Sequence, residues 1–242
     1  MHAKRDFDGG SAVAKTSSAF FDLDNTLIRG SSFYYFVKGL VAHGIISRTQ
    51  IAKFSMANYQ YIRSRQERPH AITEVTRRAL HFIQGLSQNF LKGLSREIVR
   101  EFLPKRLVPV MRERVFEHQL VGNDTWLVTA APQELAEDIA LELGMTGAIG
   151  TRARVHNGHY RAELEGPTMH GAEKARVLRA IALHRGYNLQ ASFAYSDSFN
   201  DLPMLVTVGR PFLVNPDKEL ARLGMKNSWP IIETAKDFHA IP

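Results

Sequence analysis

Apolar residues fill every position of Ala19-Phe20-Phe21, and the chain then turns abruptly polar at Asp22-Leu23-Asp24-Asn25-Thr26. A short run without alternation predicts a strand buried on both faces, as in a parallel sheet. The pattern returns at Asp124-Thr125-Trp126-Leu127-Val128-Thr129, at Ser192-Phe193-Ala194-Tyr195-Ser196 ending in Asp197, and at Pro211-Phe212-Leu213-Val214 ending in Asn215. Between these runs the apolar spacing lengthens to three and four. Leu135, Ile139, Leu141 and Leu143 predict a helix opened by Pro132 and closed at Gly144. Val177, Leu178 and Ile181 predict another from Ala172 to His184, and Asn215-Pro216-Asp217 starts a short one. His156-Asn157-Gly158, set between alternating runs, reads as a β-hairpin turn. Strands alternating with helices predict an α/β fold with a mostly parallel sheet and right-handed crossovers.

Residues 30 to 118 break that rhythm with helical spacing and no strand signal. Arg29-Gly30-Ser31-Ser32 is a loop able to cap a helix running from Phe33-Tyr34-Tyr35-Phe36-Val37 through Leu40 and Val41 to a stop at Gly44. Ile51, Phe54, Met56 and Tyr59 suit a second helix between Arg48 and Ser64. Pro69 can start a third carrying Ile72, Val75, Ala79, Leu80 and Ile83, closing near Gly85. Leu94, Ile98, Phe102, Leu107, Val110, Val115 and Phe116 continue the pattern, with a break expected at Pro104. The predicted organisation is a leader at 1–16, an α/β core at 17–29 and 119–242, and a helical insert at 30–118.

The 242 residues are enough for a full core with an insert. No apolar run reaches the ~18 residues of a membrane span. The first sixteen residues lack the apolar stretch of a secretion signal and read as a disordered leader. The absence of cysteine excludes disulfides and thiolate chemistry and suits a cytoplasmic protein. Charge changes the picture more. Arg29 to His118 holds sixteen Lys and Arg against six Glu and no Asp, about +10, so that the remainder of this chain of net charge +7 is slightly acidic. A basic segment fits an anionic partner, such as a phosphate ester, nucleic acid or anionic membrane surface, or a solvated helical face.

Asp22 and Asp24, Thr129, Asp197 and Asn215 all end apolar strands, and a parallel sheet gathers such ends on one edge. Lys174, at a helix start, can lean over that edge. Carboxylates two residues apart repel unless a cation lies between them. Carboxylates, a hydroxyl and an ammonium suit a Mg²⁺–phosphate site, because magnesium takes carboxylate, water and phosphate oxygens. Asp22 to Asn25 is also compatible with a simple Asp-Asn turn, Thr129 with a strand-end hydroxyl, and Asp201 with a helix cap.

In order along the chain these residues resemble the haloacid dehalogenase (HAD) superfamily of phosphatases. Asp22-Leu23-Asp24-Asn25-Thr26-Leu27 is similar to its first motif, DxDxT, and Val128-Thr129-Ala130 to the second. Lys174 fits the third. Tyr195-Ser196-Asp197-Ser198-Phe199-Asn200-Asp201 resembles the fourth, GDSxxD, with Ser196 in place of Gly. The resemblance implies a Rossmann-like parallel-sheet core with an all-helical C1 cap inserted after the first strand, and a phosphoserine-phosphatase-like member of subfamily IB. It implies Asp22 as nucleophile forming an aspartyl phosphate and Asp24 as general acid and base. Mg²⁺ would be held by Asp22, the Asp24 backbone carbonyl and Asp197, with Thr26 and Asp201 behind them. Thr129, Ala130, Lys174 and Asn200 would bind the phosphoryl group.

One departure bears on the substrate. Where phosphoserine phosphatases carry a Glu nine positions after the nucleophile, this chain has Ser31, and no Arg segment suits a substrate carboxylate. The expected substrate is a small phosphorylated metabolite other than phosphoserine, with Arg29, Ser31, Phe33 and Tyr34 as candidates for reading it. A phosphotransferase and a lysophospholipid-type phosphatase at a membrane surface are the alternatives. No nucleic-acid partner is expected, and monomer and dimer both stay open.

Overall fold

A computed structural model describes residues 17–47, 49–50, 76 and 79–234. The expected leader, the helix between Arg48 and Ser64, and the stretch bearing Pro69, Ile72 and Val75 lie outside the described residues, Thr49 and Gln50 excepted. Six strands form one sheet, β1 (Ser18–Phe21), β2 (Asp124–Pro132), β3 (Gly147–Thr151), β6 (Phe193–Ser196), β7 (Arg210–Val214) and β8 (Ile231–Ile232), in the order β3-β2-β1-β6-β7-β8. Every pairing is parallel. β1 lies in the middle, Phe21 opposite Leu127 on one side and Tyr195 on the other.

The unbroken apolar run of β1 has its explanation in two cores. Because strand side chains alternate, Ala19 and Phe21 enter the core containing Leu127, Leu135 and Ile139, where Phe21 stacks on Tyr195 with ring centroids 4.6 Å apart. Phe20 enters the opposite core with Val128, Leu178 and Met204. All three residues are fully buried. Each Phe therefore contributes about 1.5–3 kcal/mol of transfer free energy.

Helices α1 (Ser32–Ala42), α2 (Gln88–Arg106) and α3 (Pro109–Leu120) follow β1. Residues 79–83 are also helical, and Gly85 follows at φ 83°. Phe36 and Leu40 of α1 are buried, and a Cβ on Gly39 would lie 2.4 Å from Ile98 of α2, so glycine permits that close approach. Pro104 does not break the helix as expected. It sits inside α2, which runs on to Arg106, and the chain leaves helical geometry at Leu107 and Val108. Arg29 N donates to Arg106 O and Val108 N to Leu27 O, both at 2.8 Å, so the outgoing and returning chains cross at one pair of bonds. α3, beyond that crossing, packs on β1 and β2.

α4 (Gln133–Glu142) begins after Pro132, and α5 (Ala172–Arg185) ends at Gly186 with φ 73°. The short α6 (Leu202–Leu205) precedes β7, and α7 (Lys218–Lys226) is capped by Asp217, whose carboxylate accepts from Glu219 N and Leu220 N. β4 (Ala153–His156) and β5 (His159–Leu164) form the expected hairpin, with Asn157 and Gly158 both at positive φ as a type I′ turn requires. Tyr160 exchanges backbone bonds with Gly85 and Leu86, which ties the hairpin to the chain entering α2. No helix of the described residues is long and apolar enough to cross a membrane.

Candidate active site

Parallel strands place their C-terminal ends on one edge, and β1 and β6 deliver Asp22 and Asp197 side by side. Asp22 N donates to Tyr195 O at 3.0 Å, extending the ladder by one residue. The chain then turns sharply. Asn25 has φ 57°, a left-handed conformation that asparagine tolerates, and Thr26 N and Leu27 N bond back to Leu23 O. The Asp-Asn turn expected as the plain alternative is thus present, and it swings Thr26 beneath the carboxylates. Thr26 Oγ1 lies 3.2 Å from Asp22 Oδ2, to which it donates, and 3.5 Å from Asp197 Oδ1.

Lys174, in the first turn of α5, is almost wholly buried. Its Nζ donates to Asp22 Oδ1 at 2.6 Å and Asp201 Oδ2 at 2.7 Å. Burial alone would lower the Lys174 pKa, but the carboxylates of Asp201 and Asp22 outweigh it and hold the ammonium charged. Burial pushes the Asp22 carboxyl up to about 7, against the pull of Lys174 and with the push of Asp201 and Asp24. Burial and then the charges of Asp22 and Asp201 raise Asp197 to about 8. The site has more converging negative charge than its one ammonium relieves.

This surplus fits a divalent cation. Among the described residues no three His, Cys, Asp or Glu side chains form a metal cage. Magnesium needs no such cage, since it keeps several waters and takes one or two carboxylates plus substrate phosphate. Asp22 and Asp197 supply that pair.

Asp24 is partly buried, and its Oδ1 accepts from Ser32 N, the first residue of α1, at 2.8 Å. A helix N-terminus favours a carboxylate there. Thr129 is buried on β2, two residues past the partner of Phe21, and its hydroxyl accepts from Ala131 N at 3.1 Å; Ala130 beside it is exposed. Asn200 Nδ2 lies 3.3 Å from Ser198 Oγ, and the backbone carbonyl of Asn200 faces Gly171 at the start of α5.

The four specificity candidates separate. Arg29 is engaged through its backbone N–H with Arg106 and its carbonyl with the Tyr35 hydroxyl, Ser31 caps α1 by accepting from Tyr34 N, Tyr34 is exposed, and Phe33 lines an apolar pocket. Tyr35 packs away from the edge, stacked on Phe102 and beneath Arg106.

Three supporting residues were not among the expected site residues. Ser196 donates to Asp201 Oδ2 at 2.7 Å, and its Oγ accepts from Ser198 N. A hydroxyl thus aims Asp201 at Lys174, and the Gly-to-Ser departure in the fourth motif was the available signal. Asp217 accepts from Phe199 N at 2.7 Å and so joins the cap of α7 to the loop carrying Asp197. Glu134, on the first turn of α4, accepts from the buried Tyr160 hydroxyl at 2.5 Å. Nothing in one dimension connects those two residues.

Comparison with known proteins gives the family. Residues 19–206 match the family model for haloacid dehalogenase-like hydrolases. A phosphoserine phosphatase of Mycobacterium tuberculosis is 39% identical over 216 residues, covering 89% of this chain and 70% of its own length. A histidinol-phosphatase of Neisseria meningitidis is 29% identical over 219 residues, 88% of this chain and 97% of its own. A protein of unknown function from Bordetella pertussis superposes with TM-score 0.77 at 26% identity, over 90% of this chain and 98% of that one. The chain belongs to the haloacid dehalogenase-like hydrolases, as an enzyme of that family's phosphatase kind.

Proposed function

We propose that the protein hydrolyses a small phosphate monoester with Mg²⁺, through a phosphoryl group carried on Asp22. The observation that supports it best is the meeting of Asp22 and Asp197 at the Thr26 hydroxyl beside buried Lys174. The metal would be held by the Asp22 and Asp197 carboxylates and the Asp24 backbone carbonyl, with Asp201 behind. When bound it would screen the repulsion between the nucleophile and a phosphate dianion.

Asp22 attacks phosphorus, the P–O bond to the leaving group breaks, and an aspartyl phosphate forms. Lys174 favours the ionised nucleophile. Of its three N–H donors, Asp22 and Asp201 take two, and the third is available to a phosphoryl oxygen. Thr129, the Ala130 amide and Asn200 bind the remaining oxygens. Asp24, held by Ser32 N, gives a proton to the leaving oxygen and then takes one from the water that hydrolyses the acyl phosphate. The helical insert serves as a C1-type cap over this edge and excludes bulk water. The test is hydrolysis of an aryl phosphate with Mg²⁺. Activity abolished by chelation and by Asp22→Asn supports the reading, and an active Asp22→Asn protein refutes the nucleophile. Added alcohols that divert the phosphoryl group would reveal a transferase instead.

A further inference from the structure

An apolar pocket, part of it open to solvent, reaches the phosphate edge at Ala130. Mostly apolar walls with a few polar groups are the usual lining of a small-molecule site. Its walls come from both halves of the chain, Phe33, Phe36 and Leu40 of α1 with Leu80 and Ile83 on one side, and Ala130 with Pro132 on the other. Two of these residues connect it directly to the chemistry. Phe33 follows Ser32, whose amide holds Asp24, and Ala130 follows Thr129. A group leaving from phosphorus on Asp22, protonated by Asp24, has this pocket beside it.

Among the described residues lining the pocket, Glu134 is the only ionisable one. It is 7% exposed. One of its oxygens accepts from the Tyr160 hydroxyl, and no Lys, Arg or His among the described residues pairs with it. A buried carboxylate without a cation is costly, and a single neutral donor offsets only part of that. The proposed hydrolysis makes no use of Glu134.

We propose that Glu134 receives a cationic nitrogen of the substrate, so that the preferred ester is the phosphate of an amino alcohol with an apolar or aromatic body and no carboxylate. This rests on the phosphatase reading above and narrows its substrate. Charge complementarity supplies the argument. The described wall offers an ammonium one carboxylate, offers apolar carbon a large surface, and offers a substrate carboxylate no cation. An amino-acid phosphate would bring its carboxylate into that wall unpaired.

The experiment compares kcat/KM for phenylalaninol phosphate, for its des-amino isostere 3-phenylpropyl phosphate, and for phosphoserine, in wild type, Glu134→Gln and Tyr160→Phe. Glutamine keeps an oxygen for the Tyr160 hydroxyl and removes the charge. Tyr160→Phe removes the hydroxyl and keeps the charge. A charge-assisted bond in a desolvated site predicts that wild type prefers the amine over its isostere by ~10–100-fold. Glu134→Gln should collapse that ratio toward one, Tyr160→Phe should retain it, and phosphoserine should be the poorest ester. A wild type without amine preference, a Gln variant that retains it, or phosphoserine as the best ester overturns the proposal while aryl phosphate hydrolysis leaves the phosphatase reading intact. Failure to hydrolyse any of these, aryl phosphate included, removes both.

Discussion

The polar edge and the apolar pocket lie side by side, yet they are constructed on opposite principles. At the edge every charged group has a named partner. Lys174 bonds two carboxylates, Thr26 touches two, Ser196 aims Asp201, and Ser32 N holds Asp24. Moving any one of these groups unpairs another in a desolvated place. In the pocket one carboxylate, held from behind by the Tyr160 hydroxyl, faces a wall that is mostly carbon. Carbon walls tolerate exchange of shape at roughly constant volume, whereas a half-satisfied polar network is costly. On the proposed reading, the edge carries one reaction and the pocket discriminates among the groups that leave.

Substitutions at the edge should act on every ester alike, and the largest effect belongs to the proposed nucleophile. Asp22→Asn is expected to lower kcat by ~10³-fold or more on aryl and alkyl phosphates equally, read by initial rates. Lys174→Met should come next. It leaves Asp22 and Asp201 buried without their ammonium and should cost about 3–5 kcal/mol of stability in urea unfolding, besides its effect on rate. An unchanged unfolding midpoint would show the edge to be less interlocked than its bonds suggest.

Leu91→Ala, on α2 against the pocket, should cost about 2–5 kcal/mol by opening a cavity. It should also alter the ranking of esters, which the Lys174 variant should not. Asp217→Ala, which frees Glu219 N, Leu220 N and Phe199 N, should cost about 1–2 kcal/mol. A pH dependence arises away from both regions. His118 is buried, its Nε2 bonded to the Tyr195 hydroxyl at 2.8 Å, and desolvation lowers its pKa to about 4. Between pH 6.5 and 4 the unfolded chain therefore binds a proton that the native protein refuses. Stability falls as pH falls through that window, and His118→Gln should flatten the slope in denaturation curves at several pH values.

Asp22 and Asp197 were legible because each follows an apolar strand, and parallel pairing carries such ends together whatever their distance along the chain. β3 was not legible. Its Gly147 and Gly150 weaken any strand signal, and the structure shows why they are there. A Cβ on Gly147 would meet the Trp126 ring at 2.7 Å, and one on Gly150 would meet Ala131 O at 2.7 Å. Tertiary crowding chose glycine against local propensity. Pro104 misled in the other direction, because a proline near the end of α2 removes one bond without ending the helix. The pairing of Glu134 with Tyr160 depends on the hairpin folding back towards α4, a long-range contact that hydrophobic periodicity does not carry.

The crossing at Leu27–Arg29 and Arg106–Val108 has a consequence for how this architecture varies. It clamps the two ends of the excursion a few residues from the turn that bears Asp24, so closure of the loop is set at that point. The entropy of closing a loop grows only logarithmically, by about 0.6 kcal/mol for each doubling of its length. Segments of different length could close between Arg29 and Arg106 at little entropic penalty, provided they restore the packing of α2 on α4 and the bonds to the hairpin.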